Sequence, residues 1–133
     1  MNTTVHEYFP VVLMCDDVRK ETNKKRTIVG SYGGDVLVQH FPASLPIAFY
    51  MHFVPQSTEA INVELFISVD DDPLANAKAT LSNHKAGDAI AIDLPQTFVQ
   101  FTKPAVVKLE ASIENGPKLL LISKRIHQGE VTG

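Results

Sequence analysis

The sequence predicts an all-β fold: an antiparallel two-sheet β-sandwich, immunoglobulin-like, with about nine strands. Two observations carry this reading. Apolar side chains recur at every second position over long stretches, which is the period of a pleated strand with one buried face. Turn-forming residues interrupt these stretches at short, regular intervals, as in two packed sheets rather than βαβ units. The alternative is a closed β-barrel, because the cysteine pair and tryptophan of true immunoglobulin domains are missing.

The elements follow in order. The apolar run ending in "VVLMC" predicts a strand near 9–15, and "RTIVGS" predicts one at 26–31 after the turn "ETNKK". The glycine pair 33–34 separates it from a strand at 35–40. "FPASLP" at 41–46 reads as a turn. The following strand, 47–54, is apolar on both faces between Pro46 and Pro55 and so belongs in the centre of a sheet. In 61–69, Val63, Leu65, Ile67 and Val69 share a face. Then "DDDP" turns the chain, a short strand is expected at 78–82, and "DDPLANAKATLSNHKA" alone has room for a short helix. Ile90, Ile92 and Leu94 define a strand at 88–93, "LPQ" reads as a turn, and 97–101 follows as a separate strand. Val107, Leu109, Ala111 and Ile113 alternate with polar residues through 105–113. Asn115-Gly116 is the hairpin signal, both residues suiting positive φ, and a closing strand follows at 118–123. It is a tenth strand if 78–82 pairs.

A chain of 133 residues suits a single domain spanning 1–133, able to bury roughly two-thirds of its unfolded surface. The formal charge of −3 offers no concentrated basic surface for nucleic acid. Cys15 is the only cysteine, so no intramolecular disulfide can form. With no basic, apolar leader at the N-terminus, a cytoplasmic location is expected. No apolar run nears the roughly 20 residues that span a bilayer. The Asn2-Thr3-Thr4 triplet matches a glycosylation acceptor, but without secretion it carries no meaning.

The motifs argue against catalysis. "TIVGSYGGDV" resembles a phosphate loop, yet "DVLVQHF" continues as a strand, so the helix that would bind the anion is missing. Gly30, Gly33 and Gly34 are read as a corner. Asp70, Asp71 and Asp72 form an acidic loop that suggests calcium, but the EF-hand spacing is missing and Leu81 stands where the last glutamate would be. The five histidines show no metal spacing; His40 and His52 are expected half-buried on strands. Cys15 reads as a small buried hydrophobe. Arg19, Lys20, Lys24, Lys25 and Arg26 gather on one hairpin tip. They read as a solvated turn, or as a contact for an acidic or phosphate-bearing partner.

Three segments carry a resemblance: Cys15 to Arg19 (C-D/E-x-V-R), Ile28 to Gly33 ("IVGSYG") and Phe41 to Pro46 (F-P-A-x-x-P). Over about the first fifty residues the chain resembles a family of small uncharacterised bacterial and phage proteins. The resemblance implies a bacterial or phage origin and a free-standing domain, and it transfers no catalytic residue. The expected function is a non-enzymatic protein-interaction module that binds another protein or itself, without cofactor, metal or membrane. The alternative is a small-ligand or calcium-binding sandwich using the 70–72 loop or the basic 19–26 turn.

Overall fold

Alternating apolar residues resolve into two sheets in a computed structural model that describes residues 5–129; the Asn2-Thr3-Thr4 triplet lies outside them. A single helical turn, α1 (Val5–Tyr8), precedes nine strands. These are β1 (Val11–Lys20), β2 (Arg26–Ser31), β3 (Val36–Val38), β4 (Ala43–Phe53), β5 (Ile61–Val69), β6 (Asp72–Leu81), β7 (Ile90–Phe101), β8 (Ala105–Ile113) and β9 (Leu119–Gln128).

One sheet has the order β2-β1-β4-β7 and the other β3-β9-β8-β5-β6, and they stay separate, so the molecule is a sandwich and not a barrel. All neighbours are antiparallel except β3 and β9. The order β1-β4-β7 follows strands A-B-E of an immunoglobulin-like sandwich, and β9-β8-β5-β6 follows G-F-C-C′. The β2 strand is an addition outside A. No described strand occupies the place of D beside β7.

The core sits between the sheets. Ile47, Phe49, Met51 and Phe53 of β4 face Val107, Leu109 and Ala111 of β8, with Val63 and Leu65 of β5 beside them, all buried. Each large side chain so buried contributes about 1.5–3 kcal/mol relative to exposure. Helix α1 closes one end: Tyr8 stacks on Phe53 at 5.9 Å and Phe9 packs against it at 5.3 Å.

Several expected elements are corrected. The chain at 72–81 forms no helix; it is the whole of edge strand β6, longer than the expected 78–82. Pairing with β5 dictates this, since Ala75, Ala77 and Ala79 sit opposite Ile67, Leu65 and Val63. "LPQ" is no turn: 88–93 and 97–101 are one strand, β7, and Pro95-Gln96 form a bulge opposite Ala48. Most of "FPASLP" is strand, because Ala43–Pro46 pair with Phe98–Phe101. Strand β3 shrinks to three residues, leaving His40 exposed on a bend, while β9 runs on to Gln128. At the 115–116 turn the positive φ values belong to Glu114 and Asn115, at 50° and 58°. Gly116 instead donates its N–H to Ile113.

The glycine-rich segment is a corner, in two steps. Gly30 has φ +63° and lies against Asp16, while Gly33 and Gly34 carry the chain from β2 to β3 in the other sheet. The first step has a long reach. Arg26 of β2 contacts Asp93 of β7 although β1 and β4 lie between these strands. Gln96 of β7 likewise donates to the Asp16 carbonyl at 2.8 Å. The tip of the β1–β2 hairpin therefore folds across the outer face of β4. Cys15, at the root of this hairpin, is buried, and its thiol donates to the Ala48 carbonyl at 3.7 Å.

Candidate functional site

The basic group divides on folding. Arg26 Nε reaches both Asp93 oxygens at 2.9 and 3.1 Å, with only 20% of its side chain exposed, and Lys20 stands 3.8 Å from the same carboxylate. Arg19 pairs with its neighbour Asp17 at 3.4 Å. The tip closes as a three-residue loop with Lys24 left-handed at φ 66°, where Glu21 and Lys25 bond through their backbones. Lys24 and Lys25 project into solvent. Two of the five cations thus fasten the folded-over hairpin. The group does not form one basic patch.

The acidic triplet divides too. Asp70 and Asp71, at φ 50° and 66°, make the two-residue turn from β5 to β6. The Asp70 carboxylate accepts the Val106 N–H at 2.9 Å, and Asp71 pairs with Lys108 at 3.0 Å, which raises the lysine's pKa. Asp72 starts β6 in solvent. Among the described residues no three His, Cys, Asp or Glu side chains converge as a metal site. His52 is half-buried and bonds Tyr50 Oη at 2.7 Å; His84 bonds the Ser57 carbonyl at 2.9 Å.

Two charged groups far apart in sequence tie β3 to β9. Arg125 donates to Asp35 at 2.7 Å, holding that carboxyl below the usual carboxylate range. His127 Nε2 lies 3.4 Å from the same oxygen without hydrogen-bonding geometry.

The feature that sequence reasoning missed is an open side of the sandwich. Strands β6 and β7 are both sheet edges. The inward-facing Ala75 and Ala77 of β6 are nevertheless exposed, because sheet β2-β1-β4-β7 ends one strand short of them. Between the edges lies an apolar cleft of about 210 Å³, lined by Leu65, Ile67, Ala75, Ala77, Leu94 and Thr97. Phe98 stands on the outer side of the same edge, 67% exposed. From Leu94 to Phe101 the edge carries no charged residue. It therefore lacks the lysines that ordinarily discourage strand pairing. The sequence signal for it is the absence of charge in "LPQTFVQF", which the turn-like "LPQ" obscures.

A second concavity, about 390 Å³, lies on the outer face of β5, β6 and β8. Its floor holds the Ser68 hydroxyl, buried and without a hydrogen-bond partner among the described residues. Lys118 caps it from above, 4.3 Å from the Phe66 ring centre. Asp71 stands at its rim.

No family model matches this chain, and no curated protein matches it. The resemblance noted over the first fifty residues therefore rests on those residues alone. No described helix is long and apolar enough to cross a membrane.

Proposed function

We infer that the protein is a non-enzymatic interaction module that binds another protein, or itself, by adding a strand to the β7 edge. The observation behind this reading is the missing strand position: an edge uncharged from Leu94 to Phe101, unpaired among the described strands and opening onto an apolar cleft. An incoming strand gains main-chain hydrogen bonds, each contributing about 0.5–1.5 kcal/mol net, while its side chains fill pockets on alternate sides. Covering Phe98 adds apolar burial on the outer face. The resemblance of the opening segments supports a bacterial or phage origin. The single buried cysteine suits the cytoplasm.

The test combines light scattering after size exclusion, capture from the native host, and the variant Phe98→Lys. Because Phe98 is exposed, its replacement should leave the unfolding free energy, measured in urea, within about 0.5 kcal/mol of wild type. It should also abolish the association. A strict monomer that captures nothing, or capture unaffected by the charge, rejects the reading.

The second reading, a small ligand, is favoured by the Ser68 hydroxyl, unpartnered among the described residues, beneath the Phe66–Lys118 cap. A thermal-shift panel of nucleotides, and of calcium for the 70–72 loop, tests it. A ligand at about 100 Kd adds roughly 2.7 kcal/mol of stability.

A further inference from the structure

We propose that the place beside β7 takes a lone extended segment of a partner, not a second folded copy. The segment is apolar at alternate positions and carries Lys or Arg at the end that meets Asp72. This proposal rests on the strand-addition reading and names the partner it admits.

The overhang of β6 excludes a copy. Antiparallel β7–β7 pairing about a two-fold axis would put both five-stranded sheets on the same side of the merged sheet. The β6 strand of one molecule already projects over the next strand position, because Ala75 and Ala77 are exposed, with no described strand beneath them. The partner's β5 would need that same layer over its own β7, since Leu65 and Ile67 of β5 line the cleft together with Leu94 and Thr97. Strands lie about 4.8 Å apart and sheets about 10 Å apart, so the site is one strand wide and one layer deep. A single strand fits. Its inward side chains enter against alanines, whose small size leaves room for Val, Ile or Leu.

Charge gives the segment a direction. A short loop of three residues joins Phe101 to Ala105, and Asp70 donates its N–H to Val106 at 2.9 Å. The Asp70–Asp72 tip is therefore at the Phe101 end of the site. There Asp72 is exposed and makes no ion pair among the described residues, while Asp71 is held by Lys108 at 3.0 Å. Along the rest of the edge Asp93 is the only charge, and Arg26 and Lys20 neutralise it. An apolar strand with one cationic end matches this pattern.

The test pans a displayed library of short random peptides against the full chain, with Phe98→Lys and Ala77→Arg as counter-screens. Both substitutions lie at exposed positions. Enriched peptides should alternate apolar and polar residues and carry Lys or Arg at one end. Reversing that charge should weaken binding about tenfold. Bound peptide should slow amide exchange at Thr97–Phe101, with the protein monomeric throughout. A dimer abolished by Phe98→Lys overturns the lone-strand proposal and leaves strand addition standing. No enrichment, or enrichment of peptides without the cationic end, also overturns it. Peptides that bind equally to both variants overturn strand addition itself.

Discussion

At Gly30 the backbone is left-handed, and a Cβ would lie 2.7 Å from the Asp16 carboxyl carbon. Gly30→Ala is expected to cost about 1–3 kcal/mol, measured by urea unfolding, through strained backbone and a displaced Asp16. The glycine itself was legible as a corner, but its partner was not, because only strand pairing brings Asp16 beside it. The same limit applied to Arg26, which reads as one more cation on a solvated turn until folding sets it against Asp93, 67 residues away. Asp35 gives a pH-dependent example. Its folded-state pKa is lowered, chiefly by the hydrogen bond from Arg125. The resulting stabilisation is present above the unfolded value of about 3.9 and is lost as pH falls through the folded value. In Asp35→Asn the stability curve should therefore fall less steeply below about pH 4 than in wild type. Urea midpoints across the acid range check this. A steeper fall would contradict the pairing.

Hairpins and edges form the next scale. The β1–β2 hairpin lies across β4 because Gly30 turns it and Asp93 holds its tip through Arg26 and Lys20. Asp93→Ala removes the fastening. It should cost about 1–2 kcal/mol and raise amide exchange at 17–29 while leaving β5 and β8 protected. Uniform loss of protection would show that the hairpin is not a separate unit. Alternation made β5 and β8 legible almost residue by residue, since each has one face in the core. It failed for β6 and β7. The inner face of β6 is uncovered, so its sequence, "DPLANAKATL", lacks the apolar run that marks a buried strand. In β7 a bulge at Pro95-Gln96 imitates a turn.

For the whole molecule, the two-sheet sandwich follows from composition and periodicity, whereas the order of strands does not. Nothing in β3 announces that it pairs parallel to β9, or that D's place is unfilled, because both depend on contacts between distant segments. The candidate site belongs to this scale. It is made from the ends of two sheets rather than from a motif, so residues 19–26 and 70–72 stand out in the sequence by charge while 94–101 do not.

The folded-over hairpin also turns one atom into a clock. Cys15 is the chain's single thiol, fully buried, and its pKa is raised chiefly by desolvation. An alkylating reagent is expected to reach that sulfur only while the hairpin is lifted. The labelling rate divided by that of the unfolded chain then reports how often the lid opens, about tenfold slower for every 1.4 kcal/mol of docking. Asp93→Ala, at about 1–2 kcal/mol, should accelerate labelling about five- to thirtyfold. Equal rates would mean that something other than the hairpin shields the sulfur.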